Sequence, residues 1–549
     1  MTPDLPLRVI PLGGFGEIGK NLLALEYDRD ILVIDAGLMF PEDEMLGIDL
    51  VYPEITYLTE RADRLQAIVL THGHEDHIGA LSYLLRYLDV PVYATPLTRG
   101  LAEVKLKEAG LLADAELHTI SPSDVLHLGC FTVEFFHVCH SIPDAVGIAI
   151  TTPVGLVVHA SDYKFDHNPV DGRHTDVSRL RDLGERGVLL RLSDSTNADT
   201  EGFTPSEQRV TETLDEIIYS AAGRVIVATF ASNISRVQQV IHAARRHGRR
   251  VGVVGRSMVN NVRMAINLGY LDIAPEDLLT TSEMNNLPRE KVVIVCTGSQ
   301  GEPSAVLARL AAEEHAQLQI AAGDTVVLSA EPVPGNEETV NHVIDDLFRI
   351  GANVIYQDLC DVHVSGHGSR EDHKLMLSLT RPRFFIPMHG EYRHLVLHAR
   401  TAQEAGIGAE NILIVENGQI VEVRRTAMRL GEQVSSGYVL VDGLGVGDIG
   451  AAVLRDRKHL SRDGFLAAIV AMDRVTGSIV ADPEILTRGF VYVAEADDLI
   501  EGARDRMWEV LKTPMTASGA RNRIKEILSQ YCYQQTGRRP LILPFVLEV

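Results

Sequence analysis

Short runs of Val, Ile and Leu recur along the first 440 residues, each ended by glycine or a polar group. Examples are AIVLTHG at 67–73, RVIVATF at 224–230, KVVIVCTG at 291–298, DTVVLSAEP at 324–332 and RFFIPMHG at 383–390. Runs of this kind are strands buried on both faces, and longer segments with apolar residues at helical spacing separate them. The alternation predicts an α/β or layered α/β fold, with chemistry at the polar strand ends. No internal repeat interrupts it. The last hundred residues read differently. FLAAIVAMDRVTGSIVADPEI predicts two strands around a turn at 474–477, and RGFVYV a third. DDLIEGARDRMWEVLK and GARNRIKEILSQY have helical periodicity, and RPLILPFVLEV predicts a final strand. This is a self-contained α+β module, preceded by a Gly- and Ser-rich linker, SSGYVLVDGLGVGDIG.

With 549 residues, three or four domains are expected, and 45% hydrophobic with 23% charged residues is ordinary for a globular protein. Five dispersed cysteines without a CxxC argue against a disulfide framework and for a reducing compartment. The prolines in MTPDLPLRVIPLGG and the lack of a basic start argue against a signal peptide, and no apolar run is long enough for a membrane span. A cytoplasmic protein without membrane association is the expectation. The net charge of −24 taken alone argues against nucleic acid. It is unevenly spread: residues 441–549 hold 14 basic and 15 acidic side chains, so nearly all of it lies in the first 440.

Gly14-Phe15-Gly16-Glu17-Ile18-Gly19 matches GxGxxG. A dinucleotide site needs a helix to open at the last glycine. NLLALEYDRDILVIDAG instead reads as two strands around the turn Asp28-Arg29-Asp30. The motif is therefore a glycine-rich turn between strands.

His72, His74, Asp76 and His77 fall within six residues directly after a buried strand. Alternate residues of an extended segment point the same way, so His72 and His74 can grip one ion. Asp76 and His77, where the chain turns into the helix IGALSYLLRYL, face a neighbouring position. Imidazole with carboxylate suits zinc, manganese or iron. Further ligands are expected from other strand ends, where His140, Asp162 and His389 stand. His137 and His159 lie nearby but within strands, which makes them structural.

HxHxDH with a later His, an Asp and a final His resembles the metallo-β-lactamase superfamily, an αββα sandwich with a two-metal centre. The resemblance implies His72, His74 and His140 on one metal, Asp76, His77 and His389 on the other, Asp162 bridging, and Asp35 orienting a ligand from behind. The chain between about 205 and 370 interrupts the ligand series, as in the beta-CASP branch of nucleases. LSDSTN places Asp194 at that branch's acidic motif, HVSGHGSRED places His367 at its histidine motif, and PMHGEY places His389 at its last motif. The loop Thr297–Pro303 follows the branch pattern too, as a phosphate cradle or as a plain strand-to-helix turn. Within the branch, GGFGEIGKN at 13–21 and the α+β tail resemble the bacterial ribonuclease J family. The domains expected are 1–204 and 370–435 for the split metallo-β-lactamase part, 205–369 for the insert, 436–455 for the linker and 456–549 for the C-terminal domain.

The resemblance implies a two-metal ribonuclease (Zn2+ and/or Mn2+) acting on single-stranded RNA in maturation and decay. Its action would be 5′-to-3′ exonucleolytic on 5′-monophosphate ends, with some endonuclease activity. Asp76, Asp194 and His367 would be catalytic. Ala231, Ser232 and Asn233 would face His363, Val364, Ser365, Gly366 and His367 across a 5′-phosphate pocket, Asn233 also capping the helix SRVQQVIHAARR. A homodimer through the tail, or a tetramer, is implied, with other RNA-decay proteins as further partners. The alternative is a small-molecule metallohydrolase. Arg236, Arg245, Arg246, Arg249, Arg250 and Arg256 form a basic cluster that reads first as solvated helix faces and second as an RNA contact. Cations bound among the acidic ligands would offset part of the −24 and attract phosphate, so net charge does not exclude RNA.

Overall fold

A computed structural model describes residues 5–42, 45–333, 335–443, 445–447, 449–491 and 496–549. Two compact units result, Met1–Phe40 with Val51–Val439, and Pro41–Leu50 with Leu440–Val549.

In the first unit an eight-stranded and a six-stranded sheet pack face to face. Leu7, Leu25, Leu32 and Val69 of one sheet meet Phe131, Ile148, Leu190 and Ile386 of the other in one continuous core. Helices lie on the outer faces, as in the expected αββα sandwich; Leu180, Leu183 and Met376, for example, pack on Val158 and Val188. In the six-stranded sheet, Val188–Asp194 pairs in parallel with Leu156–His159 on one side and with Phe384–Met388 on the other. The second pairing puts Asp194 opposite Met388, so His389 follows directly beside it. The expected hairpin after the glycine motif is present as Leu22–Tyr27 and Asp30–Ile34, with Asp28 at φ 55° in the turn.

The insert is a second α/β layer. Its five strands are all parallel, in the order Arg250–Val254, Val292–Cys296, Val225–Ala228, Thr325–Leu328, Asn353–Ile355. Their near-continuous Val and Ile content is what burial under helices on both faces requires.

In the second unit, Phe465–Met472 forms the middle of a three-stranded sheet between Glu484–Arg488 and Leu541–Glu548. The helices Asp497–Leu511 and Ala517–Thr536 cover one face through Met507, Ile524 and Leu528.

Four local expectations change. IGALSYLLRYL is two short helices, Glu75–Ile78 and Leu81–Leu84, because the Ala80 N–H donates to Ala36 rather than up the helix. After the turn at 474–477 only Ile479 bridges back to Met472, and the pairing strand begins at Glu484. Of RGFVYV, Arg488 ends that strand, Gly489 turns at φ 69°, and Tyr492 and Val493 lie outside the described residues. Residues 436–455 are not a plain linker: they include the strand Tyr438–Asp442 and the start of the helix Ala451–Asp463.

Candidate metal centre

Every predicted metal ligand stands just beyond the carboxyl end of a strand. His72, His74, Asp76 and His77 follow Leu65–Val69, and His140 follows Phe131–His137. Asp162 follows Leu156–His159, and His389 follows Phe384–Met388. The turns are tight: Asp35, Ser161 and His389 hold φ of 63°, 60° and 51°. Such left-handed backbone costs a non-glycine residue of order 1–2 kcal/mol, and surrounding structure must hold it.

The side chains converge in two groups. His72 Nε2 lies 3.2 Å and His140 Nε2 3.0 Å from His74 Nδ1. In the second group His389 Nε2 lies 3.1 Å from Asp76 Oδ2, and His77 Nε2 lies 3.0 Å from Asp162 Oδ2. The same Asp162 oxygen is 3.6 Å from His72, 3.8 Å from His389 and 3.9 Å from His140, so it faces both groups. Tetrahedral ligands at ~2.1 Å from an ion stand about 3.4 Å from each other, and both donor sets fit that spacing.

The far ring nitrogens fit ligand duty as well, because each meets an oxygen. His77 Nδ1 donates to Asp35 Oδ2 at 2.7 Å, and Asp35 also accepts from the Thr71 N–H and hydroxyl. His140 Nδ1 donates to the Gly366 carbonyl at 2.8 Å. His72 Nδ1 meets Thr71 Oγ1 and Ser161 Oγ, and His389 Nδ1 meets Thr196 Oγ1 and Asp194 Oδ1. Burial pushes His72 and His140 well below the ordinary imidazole range and His74 to about 4, with neighbouring rings adding to it. Burial opposes ionisation of Asp76 and Asp162, yet the histidines around them hold both well below the usual carboxylate range. Conversely, burial opposes charge on His77 and His389, but Asp162 and its neighbours raise both, His389 to about 10. An arriving divalent cation competes for the positions those protons hold.

His367 stands over this centre. Its Nδ1 donates to Asp194 Oδ2 at 2.9 Å and lies 4.0 Å from Asp162, while its ring stacks on that of His389. Burial works against its charge, but Asp194 raises its pKa. Asp194 meets both His367 and His389, and its oxygens lie with Asp162 and these two rings close enough to share one ion. The loop bearing His367 is tied down by Lys164 Nζ on the Ser365 carbonyl, by Asn197 on Ser365 Oγ, and by Thr204 on the His367 carbonyl.

Asn233 caps its helix, accepting from the Arg236 N–H, and the Ala231 carbonyl accepts from Asn261. Arg236 joins that helix to the His367 loop by donating to the Val362 carbonyl. A pocket of about 150 Å³ opens beside Arg209, Gln357, His363, Val364 and Ser365. Burial pushes His363 down to about 3, helped by Arg236 and Lys164. His137 and His159 stay outside both donor groups, bonded to the His174 carbonyl and the Ser161 N–H. Five of the six arginines of the basic cluster are engaged, while Arg256 is exposed. Arg236 is buried against Glu207, Arg249 donates to the carbonyls of Ala221 and Gly223, and Arg245, Arg246 and Arg250 pair with Asp272, Asp215 and Glu283. In the 297–303 loop Gln300 turns inward to Glu331 and Val333, which favours the plain turn.

Four family models match: the metallo-beta-lactamase superfamily at 17–173, the ribonuclease J beta-CASP domain at 222–347, the Zn-dependent metallo-hydrolase RNA specificity domain at 353–414, and the ribonuclease J C-terminal domain at 452–549. Ribonuclease J2 of Bacillus subtilis (strain 168) is 44% identical over 548 residues, 99% of each chain. This chain belongs to the ribonuclease J family. Ribonuclease J of Thermus thermophilus is 44% identical over all of this chain and 96% of its own. Ribonuclease J of Synechocystis is 46% identical over 89% of this chain and 76% of its own. A crystal structure of a protein of unknown function from Enterococcus faecalis shares the fold, with a TM-score of 0.54 at 15% identity over 76% of this chain and all of that one. The stretch matched to the metallo-beta-lactamase superfamily contains His72, His74, Asp76, His77, His140 and Asp162, and the one matched to the RNA specificity domain contains His389. Thr71, Ser161, Lys164, Thr196, Asn197 and Thr204 were not singled out from the sequence. Each borders a chemical motif, and that adjacency is the signal that could have found them.

Proposed function

We propose that this chain is a two-metal ribonuclease that degrades single-stranded RNA from 5′-monophosphate ends in the 5′-to-3′ direction and also cuts internally. The nuclease body would be 1–204 with 370–435, split by the insert at 205–369. Two divalent ions per chain, zinc and/or manganese, would supply Lewis acidity to the phosphodiester and acidify the attacking water. Asp76, whose side chain is 31% exposed while His77, His389 and Asp162 beside it are nearly closed off, would accept the proton of the attacking water. His367 delivers a proton to the leaving 3′ oxygen, and Asp194 holds its ring for that purpose. The downstream product keeps the phosphate, ready for the next cycle. Ser365, Gly366, His367 and the Ala231–Asn233 turn would receive that terminal phosphate, with His363 and Val364 beside it.

The observation that carries this reading is His367, a proton donor 4.0 Å from Asp162, on a loop fastened both to the body by Lys164 and to the insert by Arg236. The 5′-phosphate preference, a cytoplasmic location, a role in RNA maturation and decay and other RNA-decay proteins as partners belong to the same proposal. The C-terminal unit supports a homodimer. The uncovered face of its sheet presents Leu486, Phe545 and Leu547, each about half exposed. Glu484 and Arg488 flank Leu486 on that face, an order that is self-complementary about a two-fold axis.

The test is product analysis with metal-loaded protein on RNAs bearing 5′-monophosphate, 5′-triphosphate or no free end. Mononucleotides should accumulate fastest from the monophosphate. Failure to release them with any divalent metal refutes the exonuclease, and intact circular RNA refutes the endonuclease. His367→Ala should keep its metal yet lose ~10²–10⁴ in turnover, the usual worth of a general acid.

A further inference from the structure

The glycine-rich segment 13–21 belongs to no donor group, yet several of its polar atoms are engaged beside the second one. It links Leu7–Gly13 to Leu22–Tyr27 with Gly14, Gly16 and Gly19 at φ 83°, 84° and 98°, and Lys20 at 50°. A phosphate cradle needs free N–H groups. Here the Gly14 N–H donates to Glu17 Oε1, that of Phe15 to Asn417, that of Lys20 to Leu38 and that of Asn21 to Asp76. Two carbonyls are engaged as well. Gly14 O accepts from the His389 N–H at 2.7 Å, and Glu17 O from the Gly390 N–H at 3.0 Å. The segment thus fixes the backbone that bears His389.

At its end, Asn21 fixes the other half. Both its backbone N–H and its Nδ2 donate to the Asp76 carbonyl at 3.0 Å. That bond sets the amide, since the opposite orientation would face oxygen to oxygen. The second Nδ2 hydrogen then lies toward Asp76 Oδ2 at 3.4 Å, and the amide stands 3.0 Å from His77 Nε2, the ring atom that would face the ion. Asn21 Oδ1 is buried without a partner, so the orientation is held by its donors alone. The glycines make room for this packing. A Cβ on Gly14 would stand 2.3 Å from Asn21 Oδ1, and one on Gly37 would stand 1.7 Å from the Asp76 carbonyl.

We infer that segment 13–21 is the scaffold of the second metal position, with Asn21 the positioning residue that aims Asp76 and His77. The inference rests on the two-ion reading and is independent of the substrate.

The test uses full-length protein stripped of metal, with Asn21→Ala and Asn21→Leu; leucine keeps the branched shape and removes the donors. Mn2+ is titrated in and the free ion is followed by electron paramagnetic resonance. Both variants should bind one ion as the parent does and the other 10–100-fold more weakly, the usual effect of losing a ligand's orienting partner. Excess Mn2+ should restore RNA turnover, and the metal-free melting temperature should be unchanged. Parental affinity for both ions in both variants overturns the inference, and so does equal weakening of both ions. A parent that binds fewer than two ions overturns the two-ion reading itself, a different and recognisable result.

Discussion

Gly366→Ala isolates the first metal position. The Gly366 carbonyl accepts from His140 Nδ1, and the α-carbon lies against the same ring. An added Cβ would stand 2.7 Å from both Cε1 and Nδ1 of His140, and 2.9 Å from the Ser141 nitrogen. Gly366 is outside the left-handed region, so the methyl acts by contact alone. Ordinary contact begins near 3.4–3.5 Å, so the ring or the loop must yield by about 0.7 Å. Metal–ligand distances tolerate only about 0.2 Å, so His140 leaves its ideal position relative to His72 and His74. The first ion should bind ~10–100-fold more weakly, or roughly 1.4–2.7 kcal/mol, with the second retained. Equilibrium dialysis of the metal-stripped variant followed by elemental analysis measures this, with the metal-free melting temperature as the control for folding. If Gly366→Ala holds both ions at parental affinity, the ring is not confined as described, and the argument from the close approach is wrong.

Acid should weaken the metal-free protein through histidines outside the donor groups. Burial depresses His159 and His373 to about 4 and His363 to about 3, and lowers His398 further below its ordinary value. Below about 6.5 the unfolded chain binds protons the folded one refuses, so stability present at pH 7 drains away as pH falls toward 4, by ~1.4 kcal/mol per group per pH unit. His77 and His389, raised in the fold, offset a little of this near pH 7 and add nothing more once the unfolded imidazoles are protonated below about 6. A melting temperature that stays flat or rises from pH 7 to pH 5 contradicts this. For the C-terminal sheet, Phe545→Asp with Leu547→Asp should convert the proposed dimer to monomer in sedimentation equilibrium; a parent chain already monomeric at micromolar concentration refutes the interface.

Sequence reading succeeded where chemistry and local geometry coincide. His72, His74, Asp76 and His77 crowd one strand end, and His140, Asp162 and His389 each close another, so the donor set was visible before its three-dimensional arrangement. It failed where the third dimension sorts neighbours in sequence. Arg236 and Arg245 share a helix, yet one is sealed against Glu207 while the other pairs with Asp272 at the surface. The broken helix after His77 is a tertiary effect, because the bond that interrupts it comes from Ala36. Segment 13–21 satisfied every local rule for a turn, and nothing local announces that its free groups are reserved for Asp76 and His389. The charge of −24 misled because it sums over the chain, whereas phosphate meets only the field at the metal centre.

The ligands span the chain, and this sets a clock on the birth of activity. His389 is translated 317 residues after His72. At ~5–20 residues per second that is roughly a quarter of a minute to a minute, during which the insert can fold on the nascent chain. Only when Phe384–Met388 slots in beside Val188–Asp194 does the last histidine reach Asp76 and Asp162. Until that strand is in place a growing chain carries an incomplete donor set, and the set closes with 160 residues still to be made.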